Sequence, residues 1–168
     1  MEMVMNMKTV LILFVLSVPA FAADFTLAIG NPVAASLPGS TTTQGGVPDQ
    51  GRKVTKDAVL AVRTEGCADP ATALISATAE GLVNGERQSM ALRLLPGSGP
   101  GVYLVPRGWA AQGVWVVRLI GSCAGAKAGA LVPIGPNGFI RESSKFFPRF
   151  ATQAEIEASL KSLAGGAK

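Results

Sequence analysis

The chain contains no histidine among its 168 residues. Most zinc and copper sites, Ser-His-Asp hydrolysis and most proton transfer near neutral pH recruit imidazole, so these chemistries lose their usual agent. Met90 is the only methionine beyond residue 7, which leaves no methionine-lined copper site. The sequence therefore predicts no metal and no cofactor. Charge is also scarce: 15% of residues are Asp, Glu, Lys or Arg, the net charge is +4, and no block of like charge stands out. That balance serves solubility and supplies no polybasic tract for nucleic acid. Past the first 22 residues no segment is long enough to span a bilayer, and no repeat of solenoid or propeller period is visible.

What is present begins with an export signal. Residues 7–22 combine a minimal basic start at Lys8, an apolar core over 9–18, and the small-x-small triplet Ala20-Phe21-Ala22. This pattern predicts cleavage after Ala22 and a mature chain opening at Ala23, located in the periplasm or secreted. An uncleaved anchor would need about 20 apolar residues, so no transmembrane anchor is expected after cleavage. With 48% apolar residues, the remainder is a globular chain long enough for one domain with a real core.

The stretch 101–123, GVYLVPRGWAAQGVWVVRLIGSC, reads as two strands, each entered through a glycine. Trp115, Val117, Leu119 and Cys123 share one parity and define a core face, with Arg118 on the other. Pro106 ends the first strand, and the connection 107–112 makes either a hairpin or a crossing between sheets. Alternation predicts further strands over 25–29, 58–64, 73–79, 86–95 and 128–134. Ala58, Leu60 and Val62 are assigned to the core face against Arg63. Asn84-Gly85 is the pair that best suits a two-residue hairpin turn, with Met90, Leu92 and Leu94 facing inward beyond it. Residues 31–57 carry Pro32, Pro38 and Pro48 and little apolar period, and are read as a long polar loop, a second candidate contact surface. Residues 152–163 read as a helix with Thr152 as N-cap, Glu155 closing a capping box, Ile156, Leu160 and Leu163 on one face, and Gly165-Gly166 as its stop.

Cys67 and Cys123 carry the most direct chemical inference. An even cysteine count in an exported chain predicts one disulfide. The parity of Cys67 matches outward Arg63 and Glu65, so either Gly66 forms a bulge or the strand has already ended there. Two other readings of the cysteines exist. Gly121-Ser122-Cys123-Ala124-Gly125 has the outline of a nucleophile elbow, but lacks a base and a following helix. A redox protein cycling Cys67 and Cys123 would have a readily reduced bridge. The acids past residue 22 are dispersed, so an enzyme acting on envelope polymers through paired carboxylates has no spacing in its favour. Gly97-Ser98-Gly99-Pro100-Gly101 precedes a strand, so it is a turn and not a phosphate loop.

One segment interleaves aromatic and basic side chains: Phe139, Arg141, Lys145, Phe146, Phe147, Arg149 and Phe150. Such a run serves docking, or else its phenylalanines pin the terminal helix to the sheet while the charges stay solvated. The first use makes it a candidate contact surface for an envelope protein or polymer. Nucleic acid is not an expected partner outside the cytoplasm.

Seven or so short strands, frequent Gly/Pro turns and one distant cysteine pair together predict an immunoglobulin-like antiparallel β-sandwich over 23–150, followed by one helix. Gly101-Val-Tyr103 with Gly113-Val-Trp115-Val-Val117 resembles the G-x-Y … G-x-W-x-V pattern of YtkA-like and FixH-like exported sandwich domains. The resemblance implies a noncatalytic accessory domain outside the cytoplasmic membrane, associated in some relatives with metal or respiratory-oxidase maturation. The functional expectation is an exported noncatalytic binding or interaction module.

Overall fold

Strands bounded by glycine and proline turns dominate the fold, because the apolar residues alternate over runs too short for buried helices. The computed structural model describes residues 24–32 and 57–166. The predicted signal peptide and almost all of the 31–57 loop lie outside these residues. Ten strands follow in chain order: β1 Thr26–Gly30, β2 Ala58–Glu65, β3 Leu74–Val83, β4 Glu86–Leu92, β5 Leu95–Pro96, β6 Val102–Pro106, β7 Val114–Cys123, β8 Ala126–Gly135, β9 Gly138–Phe139 and β10 Lys145–Phe147. Among the described residues one α-helix, α1, spans Gln153–Gly166. All strand pairs are antiparallel, in a four-stranded sheet ordered β1-β2-β6-β5 and a six-stranded sheet ordered β10-β8-β7-β3-β4, with β9 paired to β8. The chain is thus a two-sheet β-sandwich with a C-terminal helix.

The core lies between the sheets. Leu27 and Ile29 of β1, Leu60 and Val62 of β2 and Val105 of β6 meet Ala77 and Ala79 of β3, Trp115, Val117 and Leu119 of β7, and Ala130 and Val132 of β8. Burying a Val, Leu or Ile side chain in this way stabilises the fold by about 1.5–3 kcal/mol each. A second, smaller apolar layer covers the opposite face of the six-stranded sheet, where Val116 and Leu131 pack against Ile156 and Leu160 of α1 and against Ala151. The centre of β7 is therefore buried on both faces, which explains why VWVV contains no polar residue. Arg118, assigned to the face away from the core, lies on this helix-side face, where it is half-buried.

Local signals account for most turns. Asn84 and Gly85 sit at φ 52° and 83°, the left-handed pair of a type I′ turn that joins β3 to β4. β7 and β8 join by the same geometry in a two-residue turn at Ala124-Gly125, so β8 begins two residues before the predicted start. The connection 107–113 crosses from the four-stranded to the six-stranded sheet, which decides between the two alternatives for it.

Two expectations are corrected, and the open alternative at Cys67 is decided. Ala58 packs with Ala61 and Leu104 on the outer face of its sheet, because the β2–β6 register shifts between Ala58 and Leu60 and reverses its side. Strand β2 ends at Glu65, and Gly66 at φ 72° redirects the chain so that Cys67, although of outward parity, packs against the core from the following loop. Helix α1 continues through Gly165 and Gly166 instead of stopping at them. Its N-terminus matches the expected capping box: the Glu155 backbone N–H donates to Thr152 Oγ1 at 3.4 Å, and the Thr152 N–H donates to Glu155 Oε2 at 2.7 Å.

Candidate binding cavity

Strand β6 ends at Pro106, and the seven residues that carry the chain to the other sheet bring one indole against another. Trp109 and Trp115 stack at a tilt, their ring centroids 6.1 Å apart. The Trp115 indole Nε1 donates to the Gln112 carbonyl oxygen at 2.9 Å, while its ring rests directly on Gly81 of β3. Trp109 is 6% exposed, and its Nε1 is buried with no hydrogen-bond partner. An unsatisfied buried donor of this kind costs about 1–3 kcal/mol.

These indoles form part of the wall of a cavity of about 650 Å³ at this end of the sandwich. The β6–β7 connection contributes Arg107, Trp109 and Gly113; the β8–β9 region contributes Ile134, Pro136 and Ile140; the end of α1 contributes Ser162 and Leu163. Ligand pockets commonly enclose about 300–1,000 Å³ behind mostly apolar walls with a few polar groups, which describes this one. Arg107 is exposed, and its guanidinium forms no ion pair with any described residue. A smaller cavity of about 210 Å³ lies on the four-stranded sheet, lined by residues of β1 and β2, Arg63 among them, together with Asn31 and Val102. Among the described residues, neither wall contains Asp or Glu. No three His, Cys, Asp or Glu residues among those described group as metal ligands, and no described helix is long and apolar enough to cross a membrane.

The structure distributes the 139–150 residues among different tasks. Phe139 packs against the inter-sheet core, with the Arg141 guanidinium 5.4 Å from its ring centroid. Arg141 also donates from Nη2 to the Ile29 carbonyl at 3.2 Å, tying this segment to β1. Phe147 joins the apolar layer under α1, and Arg149 lies 5.2 Å from its ring centroid. Arg149 reaches Glu155 through two hydrogen bonds of 2.9 and 2.7 Å. That guanidinium, with the Thr152 backbone N–H, holds the Glu155 carboxyl down at about 2, and the Arg149 value rises in return. Phe150 is half-buried with the Lys127 ammonium 5.4 Å from its ring centroid. Lys145 is exposed, and Phe146, 51% exposed, is the one ring of the seven-residue set turned to solvent. The segment also supplies Ile140 and Ser143 to the cavity wall.

Cys67 and Cys123 form a disulfide with Cα atoms 5.9 Å apart, linking the chain just past β2 to the end of β7 and hence one sheet to the other. Both sulfurs are occupied by this bond, which leaves Cys123 no free thiol for an elbow mechanism. Sequence reasoning missed the cavity. Its only local signal was the placement of both tryptophans within seven residues around a glycine-flanked connection, and the far wall comes from residues 134–166. No protein-family model, curated protein or solved structure matches the chain.

Proposed function

We propose that the chain is an exported, noncatalytic binding module that holds its ligand in the cavity between the β6–β7 connection, the β8–β9 region and the end of α1. The observation that carries this reading is the Trp109–Trp115 pair in the wall of a 650 Å³ cavity with an unpaired arginine and no acid. Phe146 and its neighbours on β10 remain the proposed contact for a larger partner, an envelope protein or polymer, since that ring is open to solvent.

The immunoglobulin-like reading has support in the strand order. Lettered in chain order with β4 as C′, the sheets run A-B-E-D and G-F-C-C′, the arrangement of that sandwich type, and the disulfide joins the chain ends near B and F. Tyr103 and Trp115, the aromatic residues of the YtkA-like and FixH-like pattern, both pack against the inter-sheet core, which supports the pattern as a sandwich signature. Export is supported by the disulfide, a bond that persists in oxidising compartments.

The cavity contains both tryptophans of the chain in its wall, so occupancy reports directly on indole emission. Titration with 8-anilinonaphthalene-1-sulfonate should give saturable dye emission with matching indole quenching. Ser162→Phe and Ser143→Phe, which fill the mouth from exposed positions, should abolish both signals without lowering the melting temperature. Dye binding unchanged in both variants would remove the cavity from the account.

A further inference from the structure

We propose that the cavity ligand is an amphiphile with a terminal carboxylate: an apolar body enclosed by the indoles and aliphatic side chains, with its charged end at Arg107. This inference rests on the binding reading above and adds the chemistry of the ligand.

Three features of the wall converge on it. Val114, Ile134, Ile140 and Leu163 supply an aliphatic lining that favours hydrocarbon over a sugar or nucleotide. Among the described residues, Arg107 is the only charged side chain in the wall and has no ion-pair partner. Guanidinium is the side chain best shaped to accept a carboxylate through two parallel hydrogen bonds. The C-terminal end of α1, with Ser162 and Gly166 in the wall, carries the partial negative charge of the helix dipole, which repels an anion from that side. The two effects orient the ligand in one direction, with the carboxylate toward the β6–β7 connection and the alkyl end under the helix.

Octanoate and octanamide separate charge recognition from simple filling. Each is titrated into the purified protein while indole emission is followed. Octanoate should bind saturably and at least tenfold tighter than octanamide, with affinity falling as salt is raised. Arg107→Gln, at an exposed position, should remove the preference, and Arg107→Lys should retain part of it. Equal affinity for octanoate and octanamide, or a preference that survives Arg107→Gln, overturns the carboxylate assignment while leaving the cavity a binding site. If neither ligand nor the naphthalene dye perturbs the indoles, the binding reading fails together with this one.

Discussion

Replacing Gly81 with alanine tests the packing that builds the cavity wall. Gly81 lies on β3 directly opposite Trp115 of β7, and a Cβ placed there would lie 2.8 Å from the indole Cδ2 and closer still to Cε3 and Cζ3. Real Cβ atoms do not approach that closely, and the obstacle is a rigid ring that is 98% buried, so it has no open space to retreat into. Gly81 has no left-handed φ, so alanine meets no backbone penalty there. Without the indole, Gly→Ala would stabilise the strand by about 0.4–1 kcal/mol through the unfolded chain. Overpacking costs about 1–3 kcal/mol and wins. At roughly 2–4 °C per kcal/mol for a domain of this size, the expected net loss is a few degrees in melting temperature. Gly30→Ala on β1 is the control, since a Cβ there meets nothing within 4 Å. Thermal unfolding followed by far-UV circular dichroism and by tryptophan emission gives both numbers. Gly81→Ala should also shift the emission maximum at 25 °C and weaken dye binding, because Trp115 has to move. A Gly81→Ala protein as stable as Gly30→Ala, with unchanged emission, would refute the wedge between β3 and β7.

Two further outcomes follow from the covalent and charged links. Intact mass of the exported protein, alkylated before reduction, should begin at Ala23 and show no free thiol. Cys67→Ala with Cys123→Ala should then lower stability by about 4 kcal/mol in urea unfolding, the chain-entropy value for cysteines 56 residues apart. A bridge that opens in a glutathione buffer would instead revive the redox reading. Glu155, held at about 2 against an ordinary 4.5, binds its proton more weakly in the folded than in the unfolded chain. Its contribution is therefore complete above pH about 4.5 and lost as pH falls toward 2. The melting-temperature gap between the native protein and Glu155→Gln should close over that window, and a gap constant from pH 6 to 2 would sink the assignment.

Local physics made most of the fold legible. The alternation of Leu27, Leu60, Val117 and Leu119 gave the inward faces because period 2 needs no knowledge of partners. The Asn84-Gly85 turn and the Thr152–Glu155 box were readable because each is closed by residues at most three apart. Ala58 was misread because the register shift beside it is set by β6, more than forty residues away. The site was less legible for the same reason. Its walls unite residue 107 with residues 134–163, and no spacing rule links a crossing connection to the far end of a helix. The 139–150 run was visible in composition, yet composition did not separate half-buried Phe147 from exposed Phe146. That division depends on which face of β10 meets α1.

Strand β7 connects these observations mechanically. It starts at Val114 in the cavity wall and ends at Cys123 in the disulfide, so its ten residues place the two features about 30 Å apart at opposite ends of one strand. Between them the strand is buried on both faces, by the inter-sheet core and by α1. The disulfide thus fixes the sheets to each other at one pole, and the crossing connection, the β8–β9 region and the end of α1 surround the cavity at the other. The cavity, at the pole without a covalent link, has walls from three separate segments, while the double-sided packing of β7 holds the frame. The bridge is therefore a support for the site from a distance and not part of its chemistry. On this arrangement reduction lowers global stability and leaves the octanoate preference, measured well below the melting temperature, unchanged.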